Sequence, residues 1–193
     1  MSAGPRILVF AGSTRRESVN RGLARVAADR LAAAEARVTL LELAEYPLPL
    51  YDGDLEAASG LPENALMLKQ VFIAHDAIVF VSPEYNSSIP PLLKNTIDWV
   101  SRPLPEQSGY VPFSGKVAAL ISASPGFLGG MRGLRHLREV LTELRMIVLP
   151  GQVSLAAANK AFDAEGKLTD EATLRRLDGL VEDLLKMTGL LSK

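Results

Sequence analysis

The chain has 193 residues, 48% of them hydrophobic and 22% charged, with a formal net charge of −1. This length suits one domain, residues 1–193, with a sizeable core, and the near-neutral balance favours neither nucleic acid nor an anionic membrane as a partner. Cysteine is absent, which excludes disulfides, thiolate chemistry and thiolate metal sites.

Ile7-Leu8-Val9-Phe10 is a continuous apolar run within a few residues of the N-terminus, with no apolar signal region ahead of it. A helix is predicted from Ser18 to Ala34, with Leu23, Val26, Ala27 and Leu31 on one face. Val38 to Leu43 is a weaker strand. A long loop, Ala44 to Leu61, leads to a helix from about Pro62 to His75 and then to the apolar run Ala77 to Val81. The next helix starts near Pro90, with proline well placed in its first turn, and carries Leu93, Thr96, Ile97 and Val100 on one face. A second long loop, Arg102 to Gly115, precedes the apolar run Val117 to Ile121. Leu134, Leu137, Leu141 and Leu144 mark a further helix, Met146 to Leu149 a short fifth strand. The last helix opens at Thr169 as N-cap, followed by Asp170 and Glu171.

Continuous apolar runs alternating with amphipathic helices predict an α/β fold: a doubly wound, five-stranded parallel sheet with helices on both faces. Ligands of such sheets bind beyond the carboxyl ends of the strands. No apolar run is long enough to span a bilayer, and the cytoplasm is the expected compartment.

Three loops fall at those strand ends. Gly12-Ser13-Thr14-Arg15-Arg16-Glu17-Ser18-Val19-Asn20 presents hydroxyls, an arginine and free N–H groups ahead of a helix N-terminus. That chemistry suits a phosphate monoester. A Gly-Lys-Ser/Thr ending and a Gly-x-Gly-x-x-Gly fingerprint are both missing, and Ser82-Pro83 stands where a response regulator needs an aspartate. The competing reading is that Ser18 or Asn20 merely caps the helix. The second loop, Ser82-Pro83-Glu84-Tyr85-Asn86-Ser87-Ser88-Ile89-Pro90-Pro91, offers an apolar wall and backbone polar groups that suit a planar heterocycle. A turn with a packed tyrosine is the alternative. The third loop, Ser124-Pro125-Gly126-Phe127-Leu128-Gly129-Gly130, has glycines that permit close backbone approach or a positive φ, or that serve as simple punctuation. No metal-ligand cluster or Ser/His/Asp arrangement is evident, and His75 and His136 adjoin no motif.

With these residues in view, the chain resembles the NADPH-dependent FMN reductase family, whose flavodoxin-like members include quinone, azo-dye and chromate reductases. The resemblance rests on the Gly-Ser-x-Arg-x-x-Ser-x-Asn loop at Gly12 to Asn20 and on Pro83-Glu84-Tyr85-Asn86, with the run from Ile89 to Trp99 behind it. Leu48-Pro49-Leu50-Tyr51-Asp52 and the glycine loop before Leu134 agree, so the similarity covers nearly the whole chain.

The resemblance implies that Ser13, Arg15, Ser18, Val19 and Asn20 hold the phosphate of FMN. It implies that Pro83, Glu84, Tyr85 and Asn86, with Ser87 beside them, line the isoalloxazine ring. Ser124 and Gly126 would approach the ring or ribityl chain. Pro125 lacks an N–H, and Phe127 and Leu128 are expected to shape the substrate entrance instead. Tyr85 and Asn86 are the expected catalytic residues, their N–H groups meeting the flavin edge. Hydride would pass from NADPH, or NADH, through FMN to a small-molecule acceptor in a ping-pong cycle, with Arg16 or Arg102 meeting the NADPH 2′-phosphate. Competing readings are a flavodoxin-like electron carrier, disfavoured by the small net charge, and a non-catalytic small-molecule-binding protein. Leu92 and Trp99 form a second apolar stripe on their helix. The family reading makes that stripe the interface of a homodimer or dimer of dimers; the alternative folds the Arg102 to Gly115 loop over Trp99.

Overall fold

The computed structural model describes residues 4–191. Five parallel strands form one sheet: β1 (Arg6–Ala11), β2 (Arg37–Leu41), β3 (Ala77–Val81), β4 (Val117–Ala123) and β5 (Ile147–Leu155), ordered β2-β1-β3-β4-β5. The helices are α1 (Val19–Ala33), α2 (Gly53–Ser59), α3 (Glu63–Ala74), α4 (Pro91–Val100), α5 (Met131–Glu143) and α6 (Glu171–Leu191). This is the flavodoxin-like doubly wound α/β sheet expected from the sequence. Its strand order reverses at β1, which lies between β2 and β3 with Val9 beside Leu40 and Val79. The connections from β1 and β3 therefore leave toward opposite faces, and a crevice opens between them at the carboxyl ends.

The two faces explain why the central strands read as unbroken apolar runs. Ala77, Val79 and Val81 of β3 pack with Leu23, Ala27 and Leu31 of α1 and Leu177, Val181 and Leu184 of α6. Ile78 and Phe80 point the other way, toward Leu68 and Phe72 of α3, Leu93 and Ile97 of α4, and Leu134, Leu137 and Leu141 of α5. Phe10 lies against Phe72 and Phe80, with ring centroids 5.5 and 5.2 Å away. Each fully buried leucine or phenylalanine contributes roughly 1.5–3 kcal/mol.

Four local expectations are corrected. First, β5 runs past Leu149 to Leu155, through a register shift opposite Ala118 and Leu120. Proline is tolerated there because β5 is an edge strand, and the Arg138 guanidinium donates to the Leu149 carbonyl at 2.7 Å beside Pro150. Second, the Ala44 to Leu61 loop contains α2, capped by Asp52, whose carboxylate accepts from the N–H groups of Asp54 and Leu55. Third, Asp170 rather than Thr169 caps α6: its carboxylate accepts from Thr173 N–H at 2.6 Å, while the Thr169 hydroxyl donates to the Ala161 carbonyl.

The fourth concerns Trp99, which is 0% exposed. Its Nε1–H donates to the Pro49 carbonyl at 2.8 Å, and Asn95 Nδ2 donates to the same oxygen at 2.8 Å. The Tyr51 ring meets the indole edge-on at 5.0 Å. So the Pro49–Tyr51 segment, not the Arg102 to Gly115 loop, covers the indole, and Trp99 is not on a free surface. Leu92 is half-buried.

Candidate active site

The chain leaves β1 at Ala11 and turns sharply. Gly12 N–H donates to the Val81 carbonyl at 2.9 Å, and a Cβ there would stand 3.0 Å from the Leu93 Cβ. That close approach seats the loop over the crevice. Ser18 then takes the N-cap position of α1 in an extended conformation, but its hydroxyl makes no capping hydrogen bond. No acidic residue stands in the first turn of α1. A helix N-terminus without a side-chain cap or carboxylate presents free N–H groups and the positive end of its dipole. Arg15 and Arg16 are exposed on the same loop, and Arg15 bends back so that one guanidinium nitrogen donates to the Glu17 carbonyl at 3.3 Å.

Asn20 does something different from its neighbours. It is buried, its Nδ2 donates to the Ala123 carbonyl at 2.9 Å, and its Oδ1 accepts from Ala123 N–H at 2.9 Å. Both ends of the amide are used on one β4 residue, which fastens the start of α1 to the end of β4.

Across the crevice, β3 ends in a tight hairpin. Tyr85 N–H donates to the Ser88 carbonyl at 2.9 Å, and Ser88 N–H returns to the Tyr85 carbonyl at 3.0 Å. Asn86 and Ser87 between them have φ of 50° and 65°. Two consecutive left-handed residues inside such a pair define a type I′ turn, whose central N–H groups point outward. Beneath the hairpin, Glu84 Oε2 accepts from Gly133 N–H at 3.0 Å in the first turn of α5. Arg132 reaches Glu84 Oε1 with two nitrogens, at 3.0 and 2.6 Å. Burial pushes the Glu84 carboxyl up, but the Gly133 N–H and the Arg132 guanidinium outweigh it and hold the carboxyl below its ordinary value. His136 Nδ1 lies 3.0 Å from the Ser88 hydroxyl.

The third wall follows β4. Ser124 N–H donates to the Leu155 carbonyl, Ala158 N–H donates to the Ser124 carbonyl, and Gly126 N–H donates to the Ser124 hydroxyl. Gly130 has φ 89°, and a Cβ on it would stand 2.8 Å from the Ser122 Cβ. Its glycine is needed for packing rather than for a ligand.

These three segments enclose an open cleft of about 160 Å³. Ser13, Arg15, Ser18, Val19 and Asn20 form one side, Pro83, Glu84 and Tyr85 another, and Ala123, Ser124 and Pro125 the floor. Larger hollows, of about 400 and 290 Å³, lie elsewhere: one between α1 and the Glu165–Leu168 turn, the other by His75 and Lys116 at the opposite rim. Neither sits at the strand-order reversal, where the sheet's geometry directs ligands.

A family model described as NADPH-dependent FMN reductase matches residues 5–160. The chain belongs to the NADPH-dependent FMN reductase family. It is 39% identical over 173 residues to an NAD(P)H-dependent FMN reductase of Pseudomonas aeruginosa, covering 89% of this chain and 88% of that one. It is 36% identical to the quinone reductase of Escherichia coli, with 93% of each chain covered. Among solved structures, the flavoenzyme NAD(P)H:(acceptor) oxidoreductase of Paracoccus denitrificans superposes with TM-score 0.78 and 32% identity, over 96% of this chain and 98% of that one.

Set against what the family resemblance implies, the cleft gathers most of the expected residues and re-assigns several. Asn86, Ser87 and Gly126 do not line it. The Tyr85 N–H closes the hairpin, so it does not face a ring edge; the Asn86 N–H has no partner among the described residues. The Glu84 carboxylate is committed to α5 and the Asn20 amide to β4. The Gly126 N–H is taken by Ser124. Arg102 is also engaged: it pairs with Glu56 at 2.9 Å and lies over the Tyr51 ring at 5.3 Å. Of the two arginines considered for a 2′-phosphate, Arg16 alone stays on the loop surface. Ala123 and Pro125 were not foreseen as lining residues; their position beside Ser124 at a strand end was the available signal. Among the described residues no cluster of side chains could hold a metal ion.

The donor set fits FMN. The phosphate end needs hydroxyls, a guanidinium and helix-start N–H groups, and Ser13, Ser18, Arg15 and α1 supply them. The ring end needs a flat apolar wall, which Pro83 and Tyr85 give.

Proposed function

We propose that this family member is an NAD(P)H-dependent FMN oxidoreductase whose FMN lies across the β1–β3 crevice. The observation that carries the reading is the opposition of two features over one cleft: an α1 N-terminus left without a side-chain cap, and a rigid hairpin offering an exposed aromatic ring. In this reading Ser13, Arg15 and the Ser18 hydroxyl hold the phosphate, with Val19 and the first-turn N–H groups of α1 behind them. Asn20 positions that helix start through Ala123 instead of touching the phosphate. Pro83 and Tyr85 flank the ring, the outward Asn86 N–H faces its edge as a hydrogen-bond donor, and Ser124 approaches the ribityl side. When bound, FMN supplies the redox chemistry, accepting a hydride from NAD(P)H and giving the electrons to a second acceptor.

The cleft is open on one side, so nicotinamide and acceptor share one face and take turns: a ping-pong cycle. Arg16, exposed beside the phosphate loop, would meet the 2′-phosphate of NADPH. Free flavins, quinones, azo compounds and metal oxyanions are the acceptor classes. The protein acts as one domain, in the cytoplasm. A homodimer or dimer of dimers would pair through α4 by Leu92 and its exposed neighbours, since Trp99 is covered within its own chain. No helix among the described residues is long and apolar enough to cross a membrane.

The test is NADPH oxidation by the FMN-loaded protein with a quinone present. Turnover with parallel initial-velocity lines supports the reading. A yellow protein that binds FMN but does not oxidise NADPH supports the electron carrier, and a protein that binds no FMN ends both.

A further inference from the structure

Phe127 is the most exposed large hydrophobic residue of the described chain, at 87%. It is not at a frayed end. The turn that carries it is fixed on both sides: Gly126 N–H is held by the Ser124 hydroxyl, Gly129 N–H donates to the Gly126 carbonyl at 3.1 Å, and Met131 N–H donates to the Leu128 carbonyl at 3.1 Å. The Ser122 hydroxyl donates to the Gly129 carbonyl at 2.7 Å, and Gly129 and Gly130 are wedged against Leu155 and Ser122. A rigid backbone therefore holds an aromatic ring out in solvent. Such a placement forgoes roughly 1.5–3 kcal/mol of burial, which sets it apart from the chain's other phenylalanines in the core.

The second aromatic on the same rim is Tyr85, 53% exposed, on the hairpin pinned by Ser88. Tyr85 follows β3 and Phe127 follows β4, and these strands are neighbours in the sheet. Pro125, two residues before Phe127, lines the cleft, as Tyr85 does. Two aromatic side chains on fixed turns thus stand at the mouth of one cleft, from adjacent strand ends. Neither Phe127 nor Tyr85 makes a ring contact within the chain.

We infer that Phe127 selects the second substrate, favouring planar, uncharged aromatic oxidants of the quinone class by stacking or edge contact at the cleft mouth, with Tyr85 opposite. The inference rests on the FMN oxidoreductase reading above and deepens it. The overall step balances as quinone + NADPH + H⁺ → hydroquinone + NADP⁺, with the electron pair from the nicotinamide hydride and the second proton from water. Phe127 takes no part in that transfer; it contributes only contact area. An acceptor that cannot stack, such as ferricyanide, gains nothing from it.

The experiment compares FMN-loaded wild type, Phe127→Ala and Phe127→Tyr at fixed NADPH. The acceptors are a naphthoquinone and ferricyanide. The expected result is that Phe127→Ala lowers the ratio of kcat/KM for naphthoquinone over ferricyanide about three- to tenfold, mainly through the naphthoquinone KM. Phe127→Tyr restores it. An unchanged ratio, with FMN bound and NADPH oxidised, overturns the inference and leaves the oxidoreductase reading standing. A change in sedimenting species in Phe127→Ala overturns it too, because Phe127 is then a contact with a second copy. A wild type that fails to bind FMN removes both.

Discussion

At the residue scale, the cleft owes its shape to side chains that touch no ligand. Asn20 is the clearest. Replacing it with alanine removes two hydrogen bonds and leaves a buried Ala123 N–H and carbonyl unsatisfied, each costing about 1–3 kcal/mol. Asn20→Ala is therefore expected to lower unfolding free energy by about 2–4 kcal/mol in urea titrations and to weaken FMN binding through a displaced α1. A variant of wild-type stability would show that the Ala123 pairing carries no load. The sequence placed Asn20 correctly at the phosphate loop but misread its task. Its partner is 103 residues away in sequence, and nothing local distinguishes an asparagine that binds a ligand from one that staples a strand. Glu84 was misread for the same reason: its partners Arg132 and Gly133 lie on a helix that only the sheet order brings close.

At the element scale, the β3 hairpin and the α5 N-terminus form one unit joined by Glu84. The Glu84 carboxyl titrates below its unfolded value near 4.5. The stabilisation is thus complete above that value and is lost as pH falls through the lower folded value. Acidification below about pH 4.5 is expected to loosen the hairpin, read as rising FMN dissociation, and Glu84→Gln should flatten that acid limb while costing about 1–3 kcal/mol of stability. An acid limb of the same steepness in Glu84→Gln would assign it to other carboxylates. The strands with unbroken apolar runs were legible because burial on both faces leaves no other pattern. The far half of β5 was not, since Pro150 and Gly151 read as a terminator. They are accommodated only because β5 has a neighbour on one side and Arg138 satisfies the displaced carbonyls. Likewise α2 is too short and polar to show a period, and only its Asp52 cap marks its start.

At the scale of the whole molecule, fold and family were readable because two motifs fall at the carboxyl ends of adjacent strands, in the order the winding demands. The surface was less readable: Leu92 and Trp99 share a helical stripe, yet Trp99 is sealed by Pro49 and Tyr51 from a distant loop. Trp99 is the chain's sole tryptophan, so it reports directly. Its fluorescence is expected to be blue-shifted and unaltered on dilution through any dimer–monomer transition followed by sedimentation. A red shift that tracks dissociation would put the indole at the subunit interface instead.

The central claim is that the phosphate of FMN is anchored where α1 begins, and it is tested most directly by titrating the protein with FMN and with riboflavin, following flavin fluorescence. FMN is expected to bind one per chain and about a hundredfold more tightly than riboflavin, a difference of about 2.8 kcal/mol. Arg15→Ala should remove about ten- to a hundredfold of the FMN affinity while leaving riboflavin nearly untouched. Equal affinities for the two flavins, or an Arg15→Ala variant that binds FMN as the wild type does, would contradict the account.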